Sequence, residues 1–204
     1  MSLWWTTRRW WLAGGALGLF LLSVELIGEY RATVPAFTPI GSATIKLMLF
    51  VPVPVCLALA YCAQRFPPSP ESTAVRPVGV YDGFAVVVLG SLAVAGVALI
   101  DALGTSPLAW AAGRNLLFLI GLTMTVGAMA GSTVSGVACV GWLVLVTLVG
   151  YGNDLHPYPW TVVLRDATDP VAGIATGVVF ALGVAATMGR HSPLPGYTGY
   201  TGWR

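Results

Sequence analysis

Between Gly83 and Leu103 the chain holds a single charged residue, Asp101, in a run dominated by valine, alanine, leucine and glycine. Comparable apolar runs recur along its length. About 20 such residues in helical form match the hydrocarbon thickness of a bilayer, and a helix satisfies its own backbone polar groups there. Composition agrees: 56% of the 204 residues are hydrophobic and 9% are charged, where a soluble domain carries about 25% charged residues. Too few charges remain to cover a water-facing surface, which excludes a water-soluble enzyme. Disorder is excluded too, since disordered chains are poor in apolar residues and rich in charge. The expected class is all-α: a polytopic integral membrane helical bundle forming a single transmembrane domain over 1–204.

The apolar runs predict six spans, at about 10–28, 45–63, 83–103, 114–131, 133–151 and 171–188. Ahead of them, Met1 to Trp11 reads MSLWWTTRRWW. Its tryptophans around Arg8 and Arg9 suit a short interfacial helix, because indole rings settle at headgroup level. The first apolar run is long and shows no small-x-small cleavage site, so it is expected to be retained as a span. Pro35 and Pro39 mark a polar connection to the second span. Pro52 and Pro54 are expected to kink or break that span, since proline removes backbone donors. The freed carbonyls would then face the bundle centre or a partner chain. Gln64 to Asp82 contains Pro67, Pro68, Pro70 and Pro77 and predicts a loop. Gly131-Ser132-Thr133 predicts a tight turn, and Tyr151 to Pro170 a second hydrophilic segment.

Positive charge orients the chain. With both termini cytoplasmic, Arg8, Arg9, Arg65, Arg76, Arg190 and Arg204 lie inside, and Arg31, Lys46, Arg114 and Arg165 outside. The bias is strongest at the first helix, which usually dominates. This predicts a multi-pass protein of the cell membrane. Gly14 with Gly18, Gly127 with Gly131 and Gly173 with Gly177 are spaced for close helix approach, expected within the bundle.

Chemical motifs are sparse. A net charge of +2, with cations spread along the chain, argues against nucleic-acid binding. Cys56, Cys62 and Cys139 lie in apolar stretches without a CxxC and read as small buried hydrophobes. No HExxH, GxSxG or GxxxxGK[ST] occurs. The expectation is therefore no enzyme, no catalytic residue, no metal ligand and no cofactor on this chain. Asp166 and Asp169, beside Pro170, are expected to cap the last span rather than bind metal. The ionisable residues near apolar sequence are the candidates for pathway or bundle-interior positions. Glu25 lies in the first span with Glu29 one turn later. Asp101 ends the third span and Arg114 opens the fourth. Interfacial snorkelling, or an Asp101–Arg114 ion pair, is the plain expectation for them. A Glu25 facing a transport pathway is the sharper one.

The layout, together with GRNLLFLIGLTMT (Gly113 to Thr125) and PWTVVLRDATDPVAG (Pro159 to Gly173), resembles small actinobacterial transmembrane subunits of ABC exporters of the type-2 permease class. That resemblance implies an elbow helix over Leu3 to Trp11 and a coupling segment within Gln64 to Tyr81. It also implies a re-entrant segment within Tyr151 to Pro170. The prolines of the first cytoplasmic loop leave a regular coupling helix room only around Glu71 to Arg76, which makes Glu71 and Arg76 the candidate ATPase contacts. It further implies a second permease chain, identical or not, enclosing the translocation path. A separate ATP-binding cassette subunit would hydrolyse the nucleotide that this chain has no motif to bind. The alternative is a non-catalytic membrane subunit or assembly factor whose glycine-rich spans are packing surfaces. A membrane enzyme acting on a lipid is the least supported, because the acid and metal motifs are missing.

Overall fold

The computed structural model describes residues 9–27, 30–35, 42–64, 78–104, 106, 108–151, 156–158 and 160–189. Among the described residues, six apolar helices form the bundle: α1 (Trp10–Ile27), α2 (Val53–Gln64), α3 (Val78–Ala102), α4 (Ala109–Ala130), α5 (Ser132–Val149) and α6 (Pro170–Gly189). By length and apolar composition, α1, α3, α4 and α6 can each cross a membrane. Two shorter apolar helical stretches, Leu47–Ala63 and Thr133–Val149, accompany them. At about 1.5 Å per residue Thr133–Val149 spans about 25 Å, slightly less than a bilayer core of about 30 Å, and the 12 residues of α2 span about 18 Å. The architecture is an all-α helical membrane bundle.

Several expected boundaries shift. The connection after α1 is a two-stranded antiparallel hairpin, β1 (Arg31–Pro35) with β2 (Ser42–Lys46), in which Ala32 pairs with Ile45. Ile45 and Lys46 therefore belong to a strand, and a 3-10 turn at Leu47–Leu49 precedes the second helix. Pro52 and Pro54 break the expected 45–63 span rather than kink it: the 3-10 turn lies before them and the helix starts at them. Pro54 falls in its first turn, where the missing N–H has no intrahelical acceptor to lose. Pro52 is buried and Pro54 exposed. α3 begins at Val78, so Val78 to Asp82 is helix rather than loop. α4 starts at Ala109, absorbing Trp110 from the expected connection. Trp10 and Trp11 already form the first turn of α1. Arg9 lies in the turn before it, and residues 3–8 of the expected elbow helix, Glu29, Glu71 and Arg76, and the chain after Gly189 lie outside the described residues.

Gly131 alone separates α4 from α5. Its φ of 87° and ψ of 165° are closed to residues with a side chain, and its N–H donates to Gly127 O at 3.2 Å. One glycine thus reverses the chain.

α4 is the central helix. Of its apolar stretch 61% is buried, against 28% for α1, 33% for α3 and 22% for α6. It packs against α1, α2, α3, α5 and α6. Leu116, Leu119 and Ile120 on α4 meet Phe20, Leu59, Val97 and Leu143 in the fully buried core. In lipid, apolar burial supplies no driving force between helices, so close packing must hold the bundle. The tightest point is the α4–α6 crossing. A Cβ at Gly121 would lie 2.5 Å from Val179 O, and one at Gly183 would lie 2.6 Å from Gly121 O. The backbones touch there because neither helix presents a side chain. The glycine pairs expected from sequence are elsewhere: Gly14, Gly18, Gly173 and Gly177 are exposed, with open space where a side chain would be.

Candidate functional site

Arg114 sits in the second turn of α4 with only 9% of its surface exposed. A guanidinium so deep in an apolar bundle needs acceptors. It finds them in the irregular backbone between α5 and α6. Nη1 donates to Asp166 O at 2.5 Å, and Nη2 donates to Arg165 O at 2.6 Å and to Asn115 Oδ1 at 3.3 Å. Asn115, also buried, donates through Nδ2 to Val163 O at 3.0 Å. Two adjacent α4 residues thus satisfy three carbonyls of the same short segment. That segment has no helical ladder of its own beyond the 3-10 turn Val162–Leu164. Arg114 Nε is buried with no hydrogen-bond partner.

The same segment is fastened at both ends. Toward α6, Asp169 is the N-cap: its Oδ1 accepts the Val171 N–H at 2.9 Å, with Pro170 at the first helical position. Arg165 Nη1 also pairs with Asp169 Oδ2. Partial desolvation pushes the Asp169 carboxyl up. The Arg165 hydrogen bond, the Val171 and Ala172 N–H groups and the Arg165 charge outweigh that and hold it below the usual carboxylate value. Toward α5, an aromatic ladder runs from Phe118 to Trp142 (6.0 Å between ring centroids), Trp160 (5.9 Å) and Tyr158 (6.3 Å). Thr161, Val162 and Val163 are buried beneath it. The expected hydrophilic segment is therefore, over 160–169, a packed piece of the bundle.

This clasp joins side chains to backbone. The buried guanidinium is spent on backbone carbonyls, and Asp166 and Asp169 serve the backbone and a cap. It ties the start of α4 to the start of α6, while Gly121 and Gly183 bring the same two helices into backbone contact further along. α4 and α6 are thereby joined at two levels into one unit.

The remaining sequence-predicted residues scatter. The Asp101–Arg114 ion pair does not form: Asp101, exposed at the end of α3, accepts from Trp110 Nε1 at 2.9 Å, while Arg114 points into the α4–α6 junction. Glu25 is exposed because α1 buries Trp10, Ala13, Leu17, Phe20 and Val24, a stripe that leaves position 25 on another face. Within this chain, Arg114 and Pro52 are interior and Glu25, Pro54 and Asp101 are not. Cys56, Cys62 and Cys139 are buried and in no disulfide, and Cys62 Sγ donates to Arg9 O at 3.7 Å.

Three residues escaped the sequence reading. Asn115 was hidden as a polar residue next to a charge at a helix start. Asp82, buried at 5% exposure on α3, was assigned to a loop. Its signal was available: it falls in register with the buried Val86, Leu89, Ala93 and Val97. Thr123 of α4 has a buried hydroxyl with no full hydrogen bond. Comparison with known proteins matches the chain to no family model, no curated protein and no solved structure.

Proposed function

We propose that the chain is the transmembrane permease subunit of an ATP-driven ABC exporter, working in the cell membrane beside a second permease chain. The observation that supports this reading best is the packed segment before the last helix. Residues 160–169 fold back onto α4 and α6, held by Arg114 and Asn115. A short re-entrant element at that position is what the type-2 permease layout calls for, and a plain solvated loop would have counted against it. The six apolar helices and the fused α4–α6 unit suit the same reading. A pair of helices locked at two points can move as a rigid body when force arrives from the cytoplasmic side.

Energy would come from a separate ATP-binding cassette subunit docking on the loop between α2 and α3, with Glu71 and Arg76 in a short coupling helix. Arg76 suits an interface ion pair because its planar guanidinium binds carboxylates bidentately. A non-catalytic packing subunit is the second reading. The outward-facing Gly14, Gly18, Gly173 and Gly177 suit it, since a neighbour's helix could seat on them. Affinity purification of the tagged chain from its native membrane in mild detergent decides between the two. An ATPase with Walker motifs should co-purify, and deletion of Ser72–Arg76 or Arg76→Glu should release it while the chain stays in the membrane. Recovery of membrane subunits without any ATPase would overturn the permease reading.

A further inference from the structure

Where α1 ends, the chain passes into a hairpin with two unlike faces. Tyr30 N–H donates to Ile27 O at 3.1 Å, so β1 leaves directly from the last turn of α1. After β2, Leu47 N–H donates to Tyr30 O at 3.0 Å and closes the hairpin at its base. Side chains alternate across a strand. Ala32 and its partner Ile45 turn toward the bundle, the first half-buried and the second 1% exposed. Arg31 and Thr33 on β1 and Lys46 on β2 take the other face and are exposed.

The register places Arg31 directly opposite Lys46. Residues so opposed share a face with their Cβ atoms about 4.5–5.5 Å apart, and like charges there are destabilising. A hairpin of two five-residue strands, marginal by itself, carries that cost at its base. Among the described residues, neither cation is in an ion pair. Leu21 of α1 lies against Gly96 of α3, both late in their helices, so these helices end at one side of the bundle, where α4 begins. At that side Arg165 is spent on Asp169 and Arg114 on backbone carbonyls. Arg31 and Lys46 are left facing outward, and an anion with more than one oxygen would relieve both.

The surroundings point to which anion. Tyr30 and Leu47 flank the pair and are exposed, as are Leu26 on α1 and Phe50 after β2. Cations beside exposed apolar and aromatic side chains, at the end of an apolar span, suit the headgroup layer of a membrane. A soluble anion would leave that apolar collar uncovered, whereas a phospholipid fills both parts. We infer that Arg31 and Lys46 form a headgroup site for an anionic phospholipid. Its phosphate bridges the two cations, and its acyl chains cover Leu26 and Phe50. The lipid neutralises the cross-strand repulsion and so fixes the hairpin to the membrane surface. The site is separate from the Arg114 clasp and holds under either reading of the chain's function.

The test uses the full chain purified in detergent and titrated with phosphatidylglycerol or with phosphatidylcholine of the same acyl chains. Native mass spectrometry reads the lipid retained. Phosphatidylglycerol should bind about 25-fold more tightly, about fivefold for each cation. Arg31→Gln and Lys46→Gln should each lose about fivefold, and the two together should abolish the preference. Arg31→Lys combined with Lys46→Arg keeps both charges and should keep it. Arg31→Glu turns the opposed pair into an ion pair. It should lose phosphatidylglycerol yet slow amide exchange over Arg31–Pro35 in phosphatidylcholine, which shows that the hairpin is intact. Equal retention of the two lipids by the unsubstituted chain would overturn the site, as would an undiminished preference in the Arg31→Gln/Lys46→Gln variant. Displacement of the lipid by an equal concentration of free glycerol phosphate would also overturn it, since the occupant would then be a soluble anion.

Discussion

Alanine at Gly121 tests whether the α4–α6 crossing holds the bundle together. The new Cβ would lie 2.5 Å from Val179 O and 2.7 Å from Phe180 Cα, both backbone atoms that no rotamer change can move. To restore the 3.4 Å of ordinary contact, α6 must retreat by about 0.9 Å. A gap of that size forfeits a quarter to a half of each dispersion contact it opens. Overpacking of this kind costs about 1–3 kcal/mol, and alanine's better helix propensity returns up to about 1 kcal/mol. The net expectation is a loss of about 1–2 kcal/mol. Gly177, on α6, is the control, because open space surrounds the position of its Cβ. Gly177→Ala should keep only the propensity term and be neutral or slightly stabilising. Reversible unfolding in mixed detergent micelles, titrated with a denaturing detergent and followed by tryptophan fluorescence, measures both. Because Gly121 and Gly183 meet at one crossing, their double alanine variant should cost less than the sum of the singles. Once the helices part, the second methyl already has room. Equal stabilities for Gly121→Ala and Gly177→Ala would refute the reasoning, as would strict additivity of the pair.

Arg114→Met removes the donors to Asp166 O and Arg165 O and should destabilise by about 1.5–3 kcal/mol, the usual worth of hydrogen bonds to a charged group whose acceptors are left unsatisfied. Hydrogen exchange should then lose protection over Val163–Asp169, and Arg114→Lys should restore only part of it, having one ammonium for two carbonyls. Asp169 is held below the usual carboxylate value, so its contribution is fully present above the unfolded value of about 3.9 and is lost as pH falls through the lower folded value. Melting temperature should therefore decline below about pH 4, with a smaller decline in Asp169→Asn, which keeps a capping oxygen but loses the charge. For topology, cysteines placed at Ser72 and Asn153, after replacement of Cys56, Cys62 and Cys139, should label from the cytoplasmic and external sides respectively. External access to both would refute two cytoplasmic termini.

Much of the fold was legible because lipid imposes a one-dimensional rule. An apolar run of bilayer length has helix as its available spanning form, so the positions of α1, α3, α4 and α6 follow from where charges and prolines stop. The capping role of Asp169 was legible for a similar reason: Asp-Pro ahead of an apolar run is a local signal. Local rules failed where two conformations suit the same letters. Ile45 and Lys46 could open a helix or close a hairpin, and only pairing with Arg31 and Ala32 selects the strand. Pro52 and Pro54 could kink a long helix or begin a short one, and the 3-10 turn Leu47–Leu49 that follows the hairpin decides by ending just before them.

What the sequence determined by itself, then, is the class: nine per cent charge and repeated apolar runs leave a helical membrane bundle as the available fold. The tertiary structure decided which small and polar residues matter, because in lipid helices choose partners by shape and hydrogen bonding rather than by hydrophobicity. Spacing by four marked Gly14 with Gly18 and Gly173 with Gly177, yet those face outward, while Gly121 and Gly183 make the crossing from two helices far apart in the chain. Arg114 likewise had a neighbouring charge in sequence, Asp101, but its donors go to carbonyls some fifty residues away. A side chain's partner across a bundle depends on helix rotation and crossing, and neither is written in the local run of residues.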